Sequence, residues 1–372
     1  MEASILNLSK LQVKQVINAS GKMSILGVST VQDNVIEAMK YGGQSFFEMA
    51  DLVKKSGEIV AEYFATESAI IVNSASSGIA LSIAGLIAKD DRYASEKLYQ
   101  IAPDRPNEVL ILKGQNVDYG APVETMINLG GGKLIEVGYS NGCKIDQIEG
   151  AITANTIAFF YVKSHHAVQK NMPSLQEIKE LCNRHSLPLI IDAAAEGDLK
   201  QFSEIADLVI YSGSKAIDGP TSGIVAGKKK LIQYIELQSK IIGRVMKVGK
   251  ETIFGILQAL ENYQTKEDDV EGQLETLETL KPLNNLPGVQ VMTQQDESGR
   301  AIYRGRIMID EQITGISALQ VIEKLKSGTI AIYTRDYYAN EGHFDIDPRP
   351  LKDGDIDIIT NRIKEIIGGV HS

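Results

Sequence analysis

The residues with the most chemistry in their arrangement are Tyr211-Ser212-Gly213-Ser214-Lys215-Ala216-Ile217-Asp218-Gly219-Pro220-Thr221-Ser222-Gly223, directly after the apolar run Leu208-Val209-Ile210. A short β-type run delivers a lysine into a segment of small residues, with glycines and a proline beyond it. Small hydroxyl residues such as Ser212 and Ser214 beside a lysine suit a place where a phosphorylated ligand comes close to the backbone. A lysine there can form a Schiff base once its surroundings let it lose its proton. A plain surface lysine after a strand is the alternative, and this segment alone does not decide between the two. Upstream, Leu187-Pro188-Leu189-Ile190-Ile191-Asp192 reads as a buried strand ending in a carboxylate. Between Asp192 and Lys215 there is room for a crossover and one further strand. In a parallel sheet both side chains then stand at carboxyl ends of strands, where open α/β sheets bind ligands. That pair is what pyridoxal 5'-phosphate requires. The lysine holds the aldehyde, and the aspartate keeps the pyridine nitrogen protonated so that the ring draws electrons.

The elements that must position this pair begin at Ala69-Ile70-Ile71-Val72-Asn73-Ser74-Ala75-Ser76-Ser77-Gly78-Ile79. Strand, small-residue turn and helix start gather backbone N–H groups around an anion, and the helix dipole favours it. Ser76, Ser77 and Gly78 are the candidate phosphate cup; a tight strand-to-helix turn with no ligand is the alternative. The uncharged run Ala69 to Ala88 approaches the roughly 20 residues that cross a bilayer. Its serines, Asn73 and Gly78 interrupt it, so a buried strand, a turn and a helix are expected instead. Further strands are expected at Val109–Leu112, Lys133–Gly138 and Ile157–Val162, with a helix over Leu175–His185. Strand–helix alternation from Ala69 to Ile224 implies a largely parallel sheet covered on both faces. His165 and His166 follow a strand's carboxyl end and are candidate acids or cofactor contacts, against an exposed histidine pair.

The segment Ser212 to Gly227 (SGSKAIDGPTSGIVAG) resembles the lysine segment of selenocysteine synthase relatives, in the fold-type-I class of pyridoxal-phosphate enzymes. Val16-Ile17-Asn18-Ala19-Ser20-Gly21 resembles the same family's N-terminal motif, and the likeness runs from about Ile17 to about Leu351. Within the group, the chain is most similar to ammonia-lyases that act on a phosphorylated amino sugar acid. The resemblance implies the fold-type-I architecture, with a mostly parallel sheet covered by helices and a small α+β C-terminal domain. It also implies sites built between two subunits, so Gln44 and Ser45 are expected near a partner's site. At Lys113-Gly114-Gln115 the family turns toward the cofactor ring, which makes Gln115 one candidate to contact it; where Lys113 stands, selenocysteine synthases carry an arginine. Lys22 replaces an expected apolar residue and either meets an anionic substrate or is a plain surface lysine. Arg349, in Asp345-Ile346-Asp347-Pro348-Arg349, resembles the family's late arginine that holds an anionic substrate group. Arg335 ends a strand and is a second candidate; a surface ion pair with Asp336 or Asp347 is the alternative for each.

Composition narrows the partners. A net charge of −10 and a pI near 5.2 argue against tRNA as the main ligand, because phosphate contacts dominate that affinity. Lys228-Lys229-Lys230 is only a short basic run. An N-terminal tRNA-binding extension is not expected, since the family motif begins already at Ile17. The two cysteines, Cys143 and Cys182, have no metal-ligand spacing, and the five histidines form no metal motif. No metal is expected, and the chain reads as cytoplasmic. The first residues lack a basic start followed by an apolar stretch, so no secretory signal is expected.

The expected organisation is an N-terminal arm over residues 1–45, with a short helix or arm at 1–16, then a cofactor-binding domain over 46–263. A polar hinge at Gln264–Glu271 leads to a small domain over 264–372. The function expected is a pyridoxal-phosphate-dependent lyase that removes ammonia from a small phosphorylated amino acid. Rivals are a transferase acting on seryl-tRNA, another lyase or aldolase of the same fold, and a binding protein that kept the fold. A homodimer, or a multiple of one, is expected.

Overall fold

The computed structural model describes residues 11–164, 167–267, 269–296 and 301–369. The chain divides into two compact units, one of residues 30–265 and one joining residues 1–29 to 266–372.

The smaller unit takes the first strand, β1 (Gln15–Ala19), which pairs in parallel with a much later one. The helix or arm expected over 1–16 lies mostly outside the described residues; of it, the described part is a turn and then, from Gln15, the strand. After Ser29 the larger unit opens with two helices, α1 (Asp33–Gln44) and α2 (Met49–Phe64). α1 packs along the helix Lys250–Gln264. Contacts of Val35, Met39 and Val31 with this unit's core carry residues 33–44 into it, so the arm expected over 1–45 ends at Ser29 instead.

The sheet of the larger unit is built from β2 (Ser68–Val72), β3 (Glu108–Leu112), β4 (Lys133–Val137), β5 (Thr156–Val162), β6 (Leu189–Asp192), β7 (Leu208–Ser212) and β8 (Gly223–Gly227). Their order across the sheet is β2-β8-β7-β6-β5-β3-β4. β7, β6, β5, β3 and β4 run parallel; β8 alone is antiparallel to both its neighbours. The strands are near-continuous apolar runs because both faces are covered. Tyr211, Phe159 and Leu110 point to one core, and Ile210, Phe160 and Ile111 to the other. α3 (Ala75–Ala88), apolar nearly all round, is buried along most of its length against the second face. Among the described residues no helix is long and apolar enough to cross a membrane.

In the smaller unit β9 (Val289–Gln295), β10 (Tyr303–Ile309) and β12 (His343–Ile346) form an antiparallel sheet in the order β12-β10-β9, while β11 (Ile330–Thr334) pairs with β1. The helices Ala318–Ser327 and Asp355–Gly368 bury Val321, Leu325, Ile359 and Ile363 against Ile307, Ile332 and Phe344. This unit thus has a core of its own, and replacing one of its buried leucines or isoleucines by alanine should cost about 2–5 kcal/mol.

Candidate active site

One edge of the larger sheet collects the residues singled out in the sequence. β2 and β7 both run antiparallel to β8 and therefore end on the same side, with Val72 and Ser212 each registered opposite Gly223. Asp192 pairs with Ile210 of β7 and with Val162 of β5 at that edge too. Gly223 is required there: a Cβ on it would sit 2.3 Å from the carbonyl carbon and oxygen of Ser74 and 2.5 Å from the Ala75 nitrogen. Only a glycine lets the strand returning from the lysine segment lie against the turn that begins α3.

That turn is a capped helix start. The Ser77 N–H donates to Ser74 Oγ at 3.0 Å, the Ser74 N–H donates to Ser77 Oγ at 3.1 Å, and Ser77 Oγ donates to Ser74 O at 2.8 Å. Ser77 is thus spent on the cap, and the Gly78 N–H closes the first turn onto Ser74 O at 3.1 Å. The amides of Ala75 and Ser76 are those a helix leaves without an internal acceptor. With the half-buried Ser76 hydroxyl they are the donors this turn can offer an anion. Gly78 serves packing, since a Cβ there would meet Val225 Cγ2 at 2.9 Å.

The lysine segment is a tight turn. Lys215 N–H reaches Ser212 O at 3.4 Å and Asp218 N–H reaches Lys215 O at 3.3 Å, with Asp218 in the left-handed region at φ 55. Gly213 N–H donates to Ser222 O at 2.9 Å, closing the turn onto the start of β8. Ser212 and Ser214 are buried with their hydroxyls 3.2 Å apart. Lys215 is half-buried.

Asp192 is 6% exposed and accepts the Ala194 N–H at 3.1 Å. Burial pushes its carboxyl pKa up; the Ala194 N–H and the Lys215 charge pull it back. Lys215 is therefore near enough to act on Asp192 through space. Gln115, fully buried, accepts the Val162 N–H at 2.9 Å and so ties the end of β3 to the end of β5. Its Nε2 makes no hydrogen bond of normal geometry among the described residues. Lys113 is exposed and pairs with Glu136 at 3.5 Å. One residue at this edge escaped the sequence reading. Tyr119 lies close enough for Ser76 and Asp192 to act on its ionisation, yet nothing in Val117-Asp118-Tyr119-Gly120 marks it as more than a turn.

Arg349 and Arg335 lie in the smaller unit, where Asp347 is wholly buried between arginines. Arg349 donates to it three times, from its backbone N–H at 3.2 Å, Nε at 2.9 Å and Nη2 at 2.6 Å, and Arg304 adds Nε at 3.3 Å. Arg304 also reaches Asp296 at 3.0 Å. The ion pair with Asp347 that stood as the alternative for Arg349 is present, but it is buried on the carboxylate side and not a surface pair. Arg335 lies over the Tyr337 ring at 4.6 Å, beside Arg304, while Asp336 pairs with Lys326 at 2.8 Å instead. The loop carrying Lys22 comes close: a Cβ on Gly21, at φ 97, would sit 3.0 Å from Asp347 Oδ2 and 3.7 Å from Arg349 Nη2. Lys22 itself is exposed.

Burial alone would raise the Asp347 pKa, but Arg349 and Arg304 overcome that and hold it below the usual carboxylate range. A lowered folded pKa stabilises above the unfolded value, near 4, and the benefit is lost as pH falls through the folded one. Acid unfolding should therefore steepen below about pH 4. Asp347→Asn should cost about 3 kcal/mol at pH 7, because two arginines lose their partner, and should flatten that acid limb. An unchanged limb in calorimetric melts across this range would exclude Asp347 as its source.

Gln44 is exposed at the end of α1, and the carbonyls of Gly43 and Ser45 accept from Lys250 Nζ. The candidate acids His165 and His166 lie outside the described residues. Among the described residues no cluster of side chains could hold a metal ion.

Comparison with known proteins bears on what such an edge does. The L-seryl-tRNA selenium transferase family (SelA) matches residues 48–298. The chain is 43% identical over 362 residues to the D-glucosaminate-6-phosphate ammonia lyase of Salmonella typhimurium, covering 96% of each. It is 36% identical to a 5'-C-glycyluridine monooxygenase-decarboxylase of a Streptomyces species, covering 96% of this chain and 91% of that one. A solved structure of a D-glucosaminate-6-phosphate ammonia-lyase superimposes with a TM-score of 0.93 at 40% identity, over the whole of both chains.

Proposed function

The chain belongs to the L-seryl-tRNA selenium transferase family, with the fold of the fold-type-I pyridoxal-phosphate enzymes, and on that premise we propose that it is an ammonia-lyase converting D-glucosaminate 6-phosphate to 2-keto-3-deoxy-6-phosphogluconate and ammonia. The observation that carries this reading is the gathering of Lys215, Asp192 and the capped start of α3 on one sheet edge, in a chain alike over its whole length to such a lyase.

The residues of that edge fit pyridoxal 5'-phosphate. Asp192 is a buried carboxylate whose raised proton affinity calls for a cationic partner, as a protonated ring nitrogen is. Ala75 and Ser76 offer donors for the phosphate. When bound, the cofactor supplies an electron sink conjugated to the amine-bearing carbon of the substrate. Lys215 would hold the cofactor's aldehyde and would be the base that takes the proton from that carbon. Asp192 keeps the ring nitrogen protonated throughout. His165 or His166, or Lys215 itself, gives a proton to the departing neighbouring hydroxyl, which leaves as water; a water then replaces ammonia and leaves the keto acid. Ser212, Ser214 and Gln115 line the cofactor, while Ser77 and Gly78 hold the cup in shape. Arg349 and Arg335 hold the carboxylate and the distal phosphate, the bidentate task that suits arginine, with Lys22 as a further cation.

Purified protein should be yellow, with a band near roughly 420 nm, and should release keto acid and ammonia in equal amounts from D-glucosaminate 6-phosphate. Oxygen consumption without ammonia release would place it with the monooxygenase-decarboxylase instead. No turnover on any phosphorylated amino sugar acid would remove the reading. Arg349→Ala should cut kcat/KM at least about a hundredfold, some 2.7 kcal/mol, with the cofactor band unchanged. Loss of the band would assign Arg349 to the cofactor, and full activity would make it only the partner of Asp347.

We place the protein in the cytoplasm, where a phosphorylated substrate is retained, as a homodimer or a multiple of one. Supporting this, Phe46 is 100% exposed, and Ile36, Tyr41 and Met49, near it in sequence, are exposed too, apolar side chains of the kind that subunits cover. Gln44 and Ser45 adjoin it and are assigned to the partner's site. Light scattering that finds an active monomer would exclude this.

A further inference from the structure

Tyr119 sits in the connection between β3 and the helix Val123–Leu129. That loop is pinned by a bridge between Asp118 and Pro122 and by the Val123 N–H bonded to Val117 O at 3.1 Å. The Tyr119 ring packs against the core that holds Val72, Ile79 and Val123, on the α3 side of the sheet. Its hydroxyl is buried and makes no hydrogen bond of normal geometry among the described residues. A phenol buried in this way carries a cost that a ligand with a strong acceptor relieves. Ser76, Asp192 and Asp118 are the polar groups that act on it, and they differ in what they offer; Asp118 takes the Gly120 N–H at 2.7 Å. Asp192 already takes the Ala194 N–H and faces the ring nitrogen, whereas Ser76 stands at the start of α3, whose free amides draw an anion. Burial, the first of several causes, pushes the phenol's pKa up to about 12, so the group remains a donor at any physiological pH.

Resting on the cofactor reading above, we infer that Tyr119 donates its hydroxyl hydrogen bond to the cofactor phosphate, completing the cup begun by the amides of Ala75 and Ser76. The residue is then a part of the anion site contributed by a loop remote in sequence from α3, and the turn after β3 is held where it is to deliver it.

Phosphate recognition separates from ring recognition by comparing pyridoxal 5'-phosphate with pyridoxal, which lacks the phosphate. Binding of each to apo-protein, measured by equilibrium dialysis, should show Tyr119→Phe with a dissociation constant for pyridoxal 5'-phosphate raised about tenfold or more. Its affinity for pyridoxal should be unchanged. Because the substitution removes a buried unpaired hydroxyl and keeps the ring, the apo-protein should melt at the same temperature or higher. An unchanged ratio of the two affinities overturns the inference, whether both constants stay put or both worsen together. In the latter case the ring, not the hydroxyl, contacts the cofactor. Apo-protein that melts lower, with the ratio preserved, makes Tyr119 a packing residue. If the unsubstituted protein binds neither compound, the cofactor reading fails and takes this one with it; if it binds both and Tyr119→Phe matches it, only the present inference falls.

Discussion

Lys215→Ala is expected to leave a folded protein with no measurable turnover, a loss of at least about ten-thousandfold in kcat. The backbone bonds that shape the turn, Lys215 N–H to Ser212 O and Asp218 N–H to Lys215 O, do not involve the side chain, so alanine keeps the turn. What goes is the nucleophile that holds the cofactor and the base that takes the substrate proton. A second consequence is electrostatic. The Lys215 charge is one of the influences that draw the Asp192 pKa down, so its removal leaves that carboxylate still harder to ionise. Borohydride reduction of the parent, followed by peptide mapping, should put the pyridoxyl label on Lys215, and the variant should take up none there. Label on Lys113 or Lys228 in the parent would remove the whole assignment. Circular dichroism and melting curves close to the parent's would show that the lost turnover is chemical and not a failure to fold.

The parts of this edge that were legible in the sequence are those set by local pattern. The apolar runs before Asp192 and Lys215 mark buried strands, and a buried strand of a parallel sheet points its last residue at the ligand edge. The small residues after Val72 mark a turn into a helix, and α3 starts there, with Ser74 and Ser77 capping each other. What stayed hidden depends on contacts between distant segments. Nothing local says that β1 pairs with β11, because the register is fixed by a partner more than a domain away in sequence. Arg304, Asp296 and Asp347 read as surface charges, since charged residues are rarely buried unless paired. Their pairing is visible only once β10 and β12 are neighbours. Gln115 is a candidate through the family resemblance at Lys113-Gly114-Gln115, yet its side-chain carbonyl is committed to Val162, a partner that the sequence does not identify. Tyr119 is the sharpest case: its turn is set by nearby residues, but Ser76 and Asp192, which act on its hydroxyl, come from the start of α3 and the end of β6.

Asp192→Ala is expected to lower kcat by roughly a thousandfold, because breaking a buried charged pair costs about 3–5 kcal/mol. The ring nitrogen then loses the carboxylate that keeps it protonated, and the developing negative charge has nowhere to settle. The same change should act in the opposite direction on the empty protein. Burial raises the Asp192 pKa, so ionising it in the folded chain is penalised relative to the unfolded chain. The stability of the apo-protein should therefore decline as pH rises from the ordinary aspartate value, near 4, through the raised folded value. Substitution removes the titrating group and with it this decline, although alanine leaves a small cavity that offsets part of the gain. Asp192→Asn keeps the volume and should show the stability effect more cleanly. The decisive measurement uses a cofactor methylated on the ring nitrogen, which carries its positive charge permanently and needs no carboxylate to retain a proton. Asp192→Ala has room for the methyl group and should recover much of the lost rate with that analogue, while the parent, crowded by its carboxylate, should not benefit. A variant within about tenfold of the parent with the ordinary cofactor would mean that some other residue faces the ring nitrogen. Loss of rate without rescue by the methylated compound would make Asp192 a positioning residue for Lys215 instead.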